Sequence, residues 1–576
     1  MLGEKLVSIL QLKTSTRLRS ALCSALALGI AAAWAAPVSA APPIAVGPDG
    51  IFEGKLDSTG NVKQFLGIRY AEPVTGNQRW KPPVPIKPSF IPQSVTQFGN
   101  HCPQTPSPFG NATATEDCLF LNVYAPKGFD IALPVMVWIH GGALVVGESD
   151  DYNASKLVEQ GVIVVTINYR LGALGFLADP ALTAESPNHI SGNYGIEDQQ
   201  EALRWVRRNI IGFGGDPGRV TIFGESAGGL STFTNLVSPT AAGLFHRAIV
   251  ESGAYSLNLP TLAQTETAGT TFANAVGCNQ STPAAVAACL RALPVSTILA
   301  NQALTFPAGS LGPSPNVDGK VLTQSIGTAL ASGEFNRVPL MNGTNHSEWN
   351  LFVALDFDFL GGGPVTTATY IAAIQATLGV PAPTAAFIAT LYPVAAFPTP
   401  DQGIGSLGTD AIFACAAHFA DELASPFVPT FAYEFSDPNA PQNFLPSPPV
   451  TFKTGASHAS EIQYLFPEAN PSGSGLDLPQ VPLNPAQEAL SAQMVGYWTQ
   501  FARFGDPNSF NPAQPHWQRF TTANQVMQSL VPQAVRMRRS ARRSWRASRL
   551  RPPKCALQSS SLSRPRMAFS RASGCS

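Results

Sequence analysis

The stretch that most constrains the fold of this chain is the apolar run at residues 220–223, which is followed by Gly-Glu-Ser-Ala-Gly at 224–228. The run favours a buried strand and residues 227–236 favour a helix, so Ser226 stands at a sharp strand-to-helix turn. The residues two positions before and after such a serine crowd together, and only glycine avoids a Cβ clash there. The turn exposes the hydroxyl beside a helix N-terminus, which stabilises developing negative charge. We therefore predict that Ser226 is a nucleophile, the alternative being a tight turn that carries a surface serine.

Strands and helices alternate along most of the chain. Near-continuous apolar runs, typical of strands that are buried on both faces, occur at 134–140 and 161–168. Further strands are predicted at 64–71, 116–126, 244–251, 338–342 and 428–435, and a helix is predicted at about 197–211. This alternation predicts an α/β fold with a mostly parallel, doubly wound sheet.

Two segments interrupt this pattern, and a helix with clear start and stop signals follows them. Residues 260–335 and 355–425 are rich in Ala, Thr and Pro and read as helical insertions that cover one end of the sheet. The late helix has Asn484 as its N-cap, Pro485 in its first turn and Gly505 as its stop signal. Its apolar stripe, formed by Leu490, Met494, Trp498 and Phe501, is interpreted as core packing and not as a cofactor site.

The charge distribution argues against a nucleic-acid partner for the body of the chain. The net charge is −1, but the residues after Gln533 contain eleven Arg, one Lys and no acid, so residues 1–533 carry −13. A basic face is therefore not expected on the folded part. The sequence contains no metal-ligand cluster, phosphate loop or dinucleotide motif, and we expect neither a cofactor nor a metal.

The N-terminus has the pattern of a secretory signal peptide. Basic residues before position 20 precede a small apolar run at 21–36 and then Pro-Val-Ser-Ala, which places cleavage after Ala40. The run is short for a transmembrane anchor, which is the alternative, and no other stretch is long and free of charge enough to span a bilayer. We therefore expect an exported protein, secreted or periplasmic, without a stable membrane span.

The cysteines fit an oxidising compartment. Cys102 and Cys118 flank a short polar loop, as do Cys278 and Cys289, and both spacings suit short-range disulfides. Cys415 lies in a helix-like run and is expected to be a buried free thiol.

Several motifs together resemble the type-B carboxylesterases, a family that includes lipases and cholinesterase-like proteins. The residues from Phe213 to Gly228 resemble the serine signature of that family, and Glu-Asp-Cys-Leu-Phe-Leu-Asn-Val-Tyr-Ala-Pro at 116–126 resembles its second signature. Phe-Leu-Gly-Ile at 65–68 and Asn-Tyr-Arg-Leu-Gly at 168–172 are similar to further motifs of the family. The resemblance runs from about residue 48 to about residue 530 and implies an α/β-hydrolase fold.

The resemblance also implies a catalytic triad. The segment 455–462 resembles the loop of the catalytic histidine, so His458 is expected to act as general base and then as general acid for Ser226. Glu348 matches the position of the family's acid, with Asp318 as the competing carboxylate, although Asp-Gly at 318–319 is more typical of a turn. The order Ser226, Glu348, His458 is that of α/β-hydrolases. His246, His418 and His516 are interpreted as structural.

The oxyanion hole follows from the same resemblance. Residues 140–143, His-Gly-Gly-Ala, resemble the family's His-Gly-Gly-Gly loop, which implies that the N–H groups of Gly142, Ala143 and Ala227 hold the oxyanion. The Cβ of Ala143 departs from the family pattern and narrows the pocket. The loop 103–117 lacks the tryptophan that contacts quaternary ammonium groups in cholinesterase-like members, so choline esters are not expected as preferred substrates.

These observations predict a serine carboxylester hydrolase that acts on neutral or aromatic carboxylic esters through an acyl-enzyme. The alternatives are a lipase or polyester hydrolase of the same family and a non-catalytic binding protein on the same fold. The predicted organisation is a signal peptide at 1–40, a hydrolase domain at 41–534 and a basic, disordered tail at 535–576. We interpret the tail as a frameshifted or misread C-terminus, the alternative being an arm that binds anionic surfaces or nucleic acid. The sequence indicates no oligomeric state.

Overall fold

A computed structural model describes residues 41–532 apart from 108, 129–131, 307–311, 360, 362, 446–449, 468–480 and 509–513. The predicted signal peptide and basic tail lie outside the described residues. The described residues from Ile44 onward belong to one compact unit. Of the other unit, Met1–Pro43, the structure describes only residues 41–43, which have no regular secondary structure.

The described strands form two sheets. Their bounds are β1 Ile44–Gly47, β2 Gly50–Glu53, β3 Lys55–Leu56, β4 Val62–Arg69, β5 Ser89–Ser94, β6 Phe120–Pro126, β7 Leu133–Ile139, β8 Ile163–Ile167, β9 Gly215–Glu225, β10 Arg247–Glu251, β11 Leu340–Asn345, β12 Thr430–Phe435 and β13 Met527–Leu530. β1, β2 and β5 make a small sheet, and the others make a ten-stranded sheet in the order β13-β12-β11-β10-β9-β7-β8-β6-β4-β3. The seven strands from β13 to β8 are parallel, and β6, β4 and β3 are added antiparallel.

Helices pack on the large sheet and extend beyond it. Their bounds are α1 Ser155–Val158, α2 Gly172–Phe176, α3 Pro180–Glu185, α4 Tyr194–Asn209, α5 Ala227–Val237, α6 Leu262–Ala275, α7 Pro283–Ala292, α8 Val295–Asn301, α9 Ile326–Ser332, α10 Asn350–Val353, α11 Tyr370–Leu378, α12 Ala382–Leu391, α13 Pro400–Gly408, α14 Cys415–Ala424, α15 Ile462–Leu465 and α16 Pro485–Phe504. Two π-helical segments, Ala354–Phe359 and Thr409–Ala414, follow α10 and α13.

The central strands are buried on both faces, as their apolar runs predict. Alternate residues of β7 enter different core clusters: Val137 and Ile139 pack on one side, whereas Met136 and Trp138 pack on the other. Strands that are covered on both faces need helices on both faces. The mostly parallel α/β sheet predicted from the sequence is therefore confirmed.

Most predicted elements are present with shifted ends. The helix predicted from residue 197 begins at Tyr194, and the strand predicted at 338–342 is β11, Leu340–Asn345. Asn193, the residue before the helix, makes no side-chain capping bond; its amide bonds instead to the C=O of Asn316 and the carboxylate of Asp318. A local pattern does not record such a tertiary contact, so it places this helix start incorrectly.

The late helix, in contrast, lies where its local signals place it. α16 begins after Asn484, whose side chain accepts from two N–H groups of the first turn and forms a capping box with Gln487. It ends at Gly505, which is left-handed with φ 69°. The predicted apolar stripe, Leu490, Met494, Trp498 and Phe501, belongs to the core cluster on one side of the sheet.

Both predicted disulfides are present, with Cα–Cα separations of 4.9 Å for Cys102–Cys118 and 5.5 Å for Cys278–Cys289. The free thiol predicted at Cys415 is wrong, because this cysteine is disulfide-bonded. A helical pattern around a cysteine does not reveal which segment packs over that helix.

No single helix in the described part of the chain is long and apolar enough to cross a bilayer, although two sharply bent helix pairs reach the required length and hydropathy together. These pairs are Pro283–Ala292 with Val295–Thr305 and Tyr370–Leu378 with Ala382–Ala396.

Candidate active site

Ser226 stands on the turn between β9 and α5, at the carboxyl end of the parallel sheet. Its backbone has φ 55° and ψ −120°, a conformation that costs a non-glycine residue about 1–3 kcal/mol. The N–H of Ser226 donates to the C=O of Glu251 at 2.9 Å, which ties the turn to the end of the neighbouring strand β10. The surrounding sheet therefore holds the strained serine in place.

The two glycines that flank the serine are required by close backbone contacts. A Cβ on Gly228 would lie 1.8 Å from the carbonyl oxygen of Ile139, and one on Gly224 would lie 2.4 Å from the same oxygen. Neither position accepts a side chain unless β7 or the turn moves. The crowding predicted from the sequence is thus present, because a Cβ on Gly224 would also lie 2.6 Å from the carbonyl carbon of Gly228, and β7 adds the contacts with Ile139.

The imidazole of His458 connects Ser226 to a buried carboxylate. Its Nε2 lies 2.8 Å from the Oγ of Ser226, and its Nδ1 lies 2.6 Å from the Oε2 of Glu348. The N–H of His458 also donates to the C=O of Glu348 at 3.1 Å. When Nδ1 carries the proton that is donated to the carboxylate, Nε2 is free to accept the serine proton.

Glu348 is fixed by hydrogen bonds on both of its carboxylate oxygens. It follows strand β11 and is fully buried. Its Oε1 accepts from the Oγ of Ser252 at 2.6 Å and from the N–H of Asn345 at 2.7 Å, while Oε2 faces the imidazole. A carboxylate with three donors has little freedom to rotate, so it sets the orientation of His458.

The electrostatics of the imidazole involve a second carboxylate. Glu225 lies directly before the serine, and its Oε1 is 3.2 Å from Nε2 of His458. Burial opposes the charged imidazolium, but the charges of Glu225 and Glu348 outweigh it and raise the pKa of His458 to about 9. Burial raises the pKa of Glu225 well above its usual value, the imidazolium of His458 opposes this rise, and Glu461 and Glu348 add to it. The site therefore stabilises a proton close to Nε2.

The loop after β7 supplies backbone N–H groups beside the serine. Gly142 has φ 93° and Ala143 has φ 56°, and a Cβ on Gly141 would lie 3.2 Å from the Cβ of Ser226. Within the described part of the chain, the N–H groups of Gly142 and Ala143 donate to no backbone acceptor. Ala227 is the first residue of α5, so its N–H has no acceptor within the helix. These three groups are available to bind an anion.

A cavity of about 200 Å³ opens beside these groups. Its wall includes Ser226 and His458, and the rest is mostly apolar and aromatic. The lining side chains outside the turn and the glycine loop are Phe109, Val145, Val146, Asp151, Tyr152, Leu351, Phe352, Leu355, Phe444 and Ile462. Phe109, the aromatic residue predicted in the first disulfide loop, stacks on Phe444 with ring centroids 5.2 Å apart.

The competing sequence candidates have structural partners elsewhere. Asp318 accepts the N–H groups of Lys320, Val321 and Leu322 through one oxygen, which is the turn that Asp-Gly predicts. The ring of His246 accepts from the N–H of Val220.

The two remaining histidines are likewise placed away from the serine. His418 lies beside Glu422 and Phe520, and His516 is exposed. None of these histidines contacts Ser226 in the described structure.

Sequence reasoning missed several polar residues around the imidazole. Glu225, Ser252 and Asn345 contact His458 or Glu348 directly, and the buried Glu461 bonds to Asn345. Glu225 occupies the variable position of the Gly-x-Ser-x-Gly motif, which is the one local signal for this group. Ser252 follows β10, Asn345 ends β11 and Glu461 precedes α15, so these three residues come together only in the folded structure.

One side-chain cluster has donor atoms of the kind that bind a metal. His101, Glu148 and Asp150 bring a ring nitrogen and carboxylate oxygens within 4.8 Å of one another. Both ring nitrogens of His101 already face carboxylates, at 2.8 Å from Glu148 and 2.9 Å from Asp150. These contacts raise the pKa of His101 to about 10 against the effect of burial, so the imidazolium takes the place that a cation would occupy.

Comparison with known proteins matches this architecture. The model of the family described as "Carboxylesterase family" matches residues 43–545. The chain is 34% identical to an acylcarnitine hydrolase of Mus musculus over 86% of this chain and 89% of the relative. It is 32% identical to a fumonisin B1 esterase of Sphingopyxis macrogoltabida over 81% and 83%, and 33% identical to a cocaine esterase of Homo sapiens over 82% and 84%.

Proposed function

The chain belongs to the carboxylesterase family and is a carboxylic ester hydrolase, and we propose that Ser226, His458 and Glu348 are its catalytic triad. The observation that carries this proposal is the continuous path from Oγ through the imidazole to the carboxylate, with distances of 2.8 and 2.6 Å. Since the chain is an ester hydrolase, the alternative of a non-catalytic binding protein on this fold is set aside.

The proposed reaction proceeds through an acyl-enzyme. Nε2 of His458 accepts the proton of the Ser226 hydroxyl while Oγ attacks the ester carbonyl, and the imidazolium then protonates the departing alcohol. A water molecule enters, gives a proton to the same nitrogen and attacks the acyl carbonyl. The imidazolium then returns this proton to Oγ as the bond between Oγ and the acyl carbon breaks, which releases the carboxylic acid and restores the free serine. Glu348 keeps Nδ1 protonated and stabilises the imidazolium that forms in both steps.

The oxyanion of each tetrahedral intermediate is proposed to bind the N–H groups of Gly142, Ala143 and Ala227. The N–H groups of the first two donate to no backbone acceptor among the described residues, and Ala227 adds the helix N-terminus. The carbonyl of Gly142 accepts the N–H groups of Val145 and Val146 at 3.0 Å, which fixes the loop before substrate arrives. Donors that are fixed in advance are worth about 3–4 kcal/mol each to the transition state.

The substrates are proposed to be small neutral or aromatic esters. The cavity of about 200 Å³ is smaller than the roughly 300–1,000 Å³ of ordinary ligand pockets. Its aromatic lining, which includes Phe109, Phe352 and Phe444, favours flat or compact acyl and alcohol groups. A lipase or polyester hydrolase of the same family is the second candidate, and long acyl chains test it directly.

Export is proposed from the two disulfides together with the N-terminal sequence pattern. Intact mass of the protein from the culture medium or periplasm checks both ends of the chain. A mass that corresponds to a chain starting before Ala41 contradicts removal of the signal peptide. A mass that includes residues 535–576 contradicts the hypothesis of a misread C-terminus.

The triad is tested with p-nitrophenyl esters of increasing acyl length. We expect Ser226→Ala and His458→Ala to lose at least about 10³-fold in kcat. His516→Ala is the matched control, because this histidine is exposed and far from the serine in sequence. A fluorophosphonate probe should label the wild type on the peptide that contains Ser226. Labelling on another serine, or equal activity of the Ser226→Ala variant, contradicts the proposal.

A further inference from the structure

One acid in the cavity wall has no part in the proposed triad. Among the lining residues, Ser226 and His458 react, and Glu225 lies against the imidazole. Asp151 is the remaining ionisable carboxyl group, at the end of the short turn Ser149–Asp151. Only 8% of this residue is exposed, and its lining neighbours include the apolar Val145 and Val146. A buried carboxyl group in an apolar cavity is costly unless it is hydrogen-bonded or paired with a charge. Asp151 hydrogen-bonds to the side chain of Glu148, which is itself an acid, so this bond holds the proton of Asp151 but supplies no positive charge.

The surroundings of Asp151 are negatively charged. Glu148 and Asp150 lie on either side of the imidazolium of His101 and use both of its N–H groups, at 2.8 and 2.9 Å. The single positive charge of His101 thus neutralises only one of the two carboxylates of Glu148 and Asp150. Asp151 lies next to the negative charge that remains. The cluster is negative even when Asp151 carries a proton.

This arrangement favours a cation in the cavity and disfavours an anion. Burial raises the pKa of Asp151 well above its usual value, and the charges of Glu148 and Asp150 raise it further. In the empty cavity the group is therefore held as the neutral acid. A ligand cation relieves this repulsion and lets the proton leave to solvent, which turns Asp151 into a carboxylate paired with the ligand.

The other titratable groups that face Asp151 do not supply that cation. Tyr152 follows it in the chain, and burial raises the pKa of this phenol well above its usual value, with the charges of Asp151 and Glu225 adding to the effect. The phenol is therefore neutral. His101 is already paired on both nitrogens, so none of these described groups supplies a further positive charge to Asp151.

We propose that Asp151 is a specificity-determining residue that binds the protonated amine of an ester substrate. The proposal rests on the proposed function, because the cavity wall that holds Asp151 also holds Ser226 and His458. An ammonium N–H donates to the carboxylate, while the carbon chain of the substrate lies on the apolar wall. Neutral esters bind without this contact, and esters that carry a carboxylate are rejected by the negative cluster.

The test compares esters that differ only in charge. Dimethylaminoethyl butyrate and isopentyl butyrate have the same shape, and the first is protonated near neutral pH. A second pair carries the amine on the acyl side: the methyl ester of dimethylaminobutyric acid and its all-carbon isostere. For each pair the measured quantity is the ratio of kcat/KM, amine over carbon. A change in folding or in general activity affects both members alike and cancels in this ratio.

We expect the ratio for at least one pair to exceed unity and to fall about tenfold or more in Asp151→Asn, which keeps the shape of the side chain but removes the charge. Asp150→Asn is the matched control, because it removes a neighbouring charge that does not line the cavity. A ratio that falls equally in both variants indicates a general field effect and overturns the assignment of direct contact. A wild-type ratio at or below unity in both pairs also overturns it.

The outcome separates this inference from the proposed catalytic function. If neither ester of a pair is hydrolysed and Ser226→Ala matches the wild type, the triad proposal fails. If both esters are hydrolysed and depend on Ser226 but the ratio is unchanged in Asp151→Asn, only the role of Asp151 fails. In the supporting outcome the ratio also rises with pH as Asp151 ionises, until the amine itself loses its proton.

Discussion

Replacing Glu348 with Gln tests whether this carboxylate orients and charges the imidazole of His458. Oε1 of Glu348 accepts from Ser252 and Asn345, and Oε2 accepts from Nδ1 of His458, so all of its neighbours are donors. A glutamine has one acceptor and one donor end. If the amide NH₂ faces Nδ1, it favours the imidazole tautomer that carries its proton on Nε2. If it faces Ser252 and Asn345 instead, it meets two hydrogen-bond donors and the hydrogen bonds that fix the side chain are lost.

The magnitude follows from the charge balance of the site. The rise in the pKa of His458 from 6.5 to about 9 corresponds to about 3 kcal/mol in favour of the imidazolium, which Glu348 shares with Glu225. This free energy corresponds to a roughly 10²-fold effect on the stability of the imidazolium, and loss of the Glu348 charge removes part of that effect. The wrong tautomer of His458 lowers the rate further. We expect kcat to fall about 10³- to 10⁴-fold, with a smaller change in KM.

The assay is steady-state hydrolysis of p-nitrophenyl acetate, with circular dichroism and thermal unfolding to show that the variant folds. Asp318→Asn is the matched control, because this carboxylate accepts N–H groups of its own turn and is the acid that the sequence offers as an alternative. A loss of less than about tenfold in Glu348→Gln refutes the reasoning. An equal loss in Asp318→Asn refutes the choice of acid.

Three further results are expected. First, kcat/KM should rise with pH up to about 9, because His458 accepts a proton only when neutral, and Glu225→Gln should lower the midpoint by removing a charge that raises this pKa; an unchanged midpoint contradicts the role of that charge. Second, Gly228→Ala should abolish activity and lower the melting temperature, since its Cβ meets a carbonyl oxygen at 1.8 Å; wild-type activity would show that the turn adapts. Third, replacing Cys278 and Cys289 with Ser should destabilise the protein by about 2–3 kcal/mol in urea unfolding monitored by fluorescence; an equal urea midpoint in the oxidised wild type and the variant contradicts this.

Features of this fold that neighbouring residues cause could be predicted from the sequence, whereas features that distant residues cause could not. The turn at Ser226 could be predicted because its cause lies within five residues: a strand, a helix and two small neighbours in one stretch. The ends of α16 were equally predictable, since Asn484 and Gly505 act on the backbone groups beside them. The start of the helix at Tyr194 was not, because Asn193 bonds to Asn316 and Asp318, more than a hundred residues away.

Ser226 was predicted from its local turn, whereas His458 and Glu348 were reached through motif resemblance. The Asp-Gly turn signal disfavours Asp318, but no local signal shows which carboxylate reaches the imidazole. In the structure the choice follows from which strands are neighbours: β11 pairs with β10, and this pairing brings Glu348 to Ser252 and to the loop of His458.

Local sequence specifies the strained serine turn, the α/β alternation and the caps of the late helix, because steric clashes and capping bonds act between residues a few positions apart. The packing of the whole chain places Oγ and Nε2, 232 positions apart in the sequence, 2.8 Å from each other. It also decides that Glu225 faces the imidazole and that Asp151 lines the cavity. Burial and the charges of distant residues set these environments, and both exist only after the strands have taken their order in the sheet.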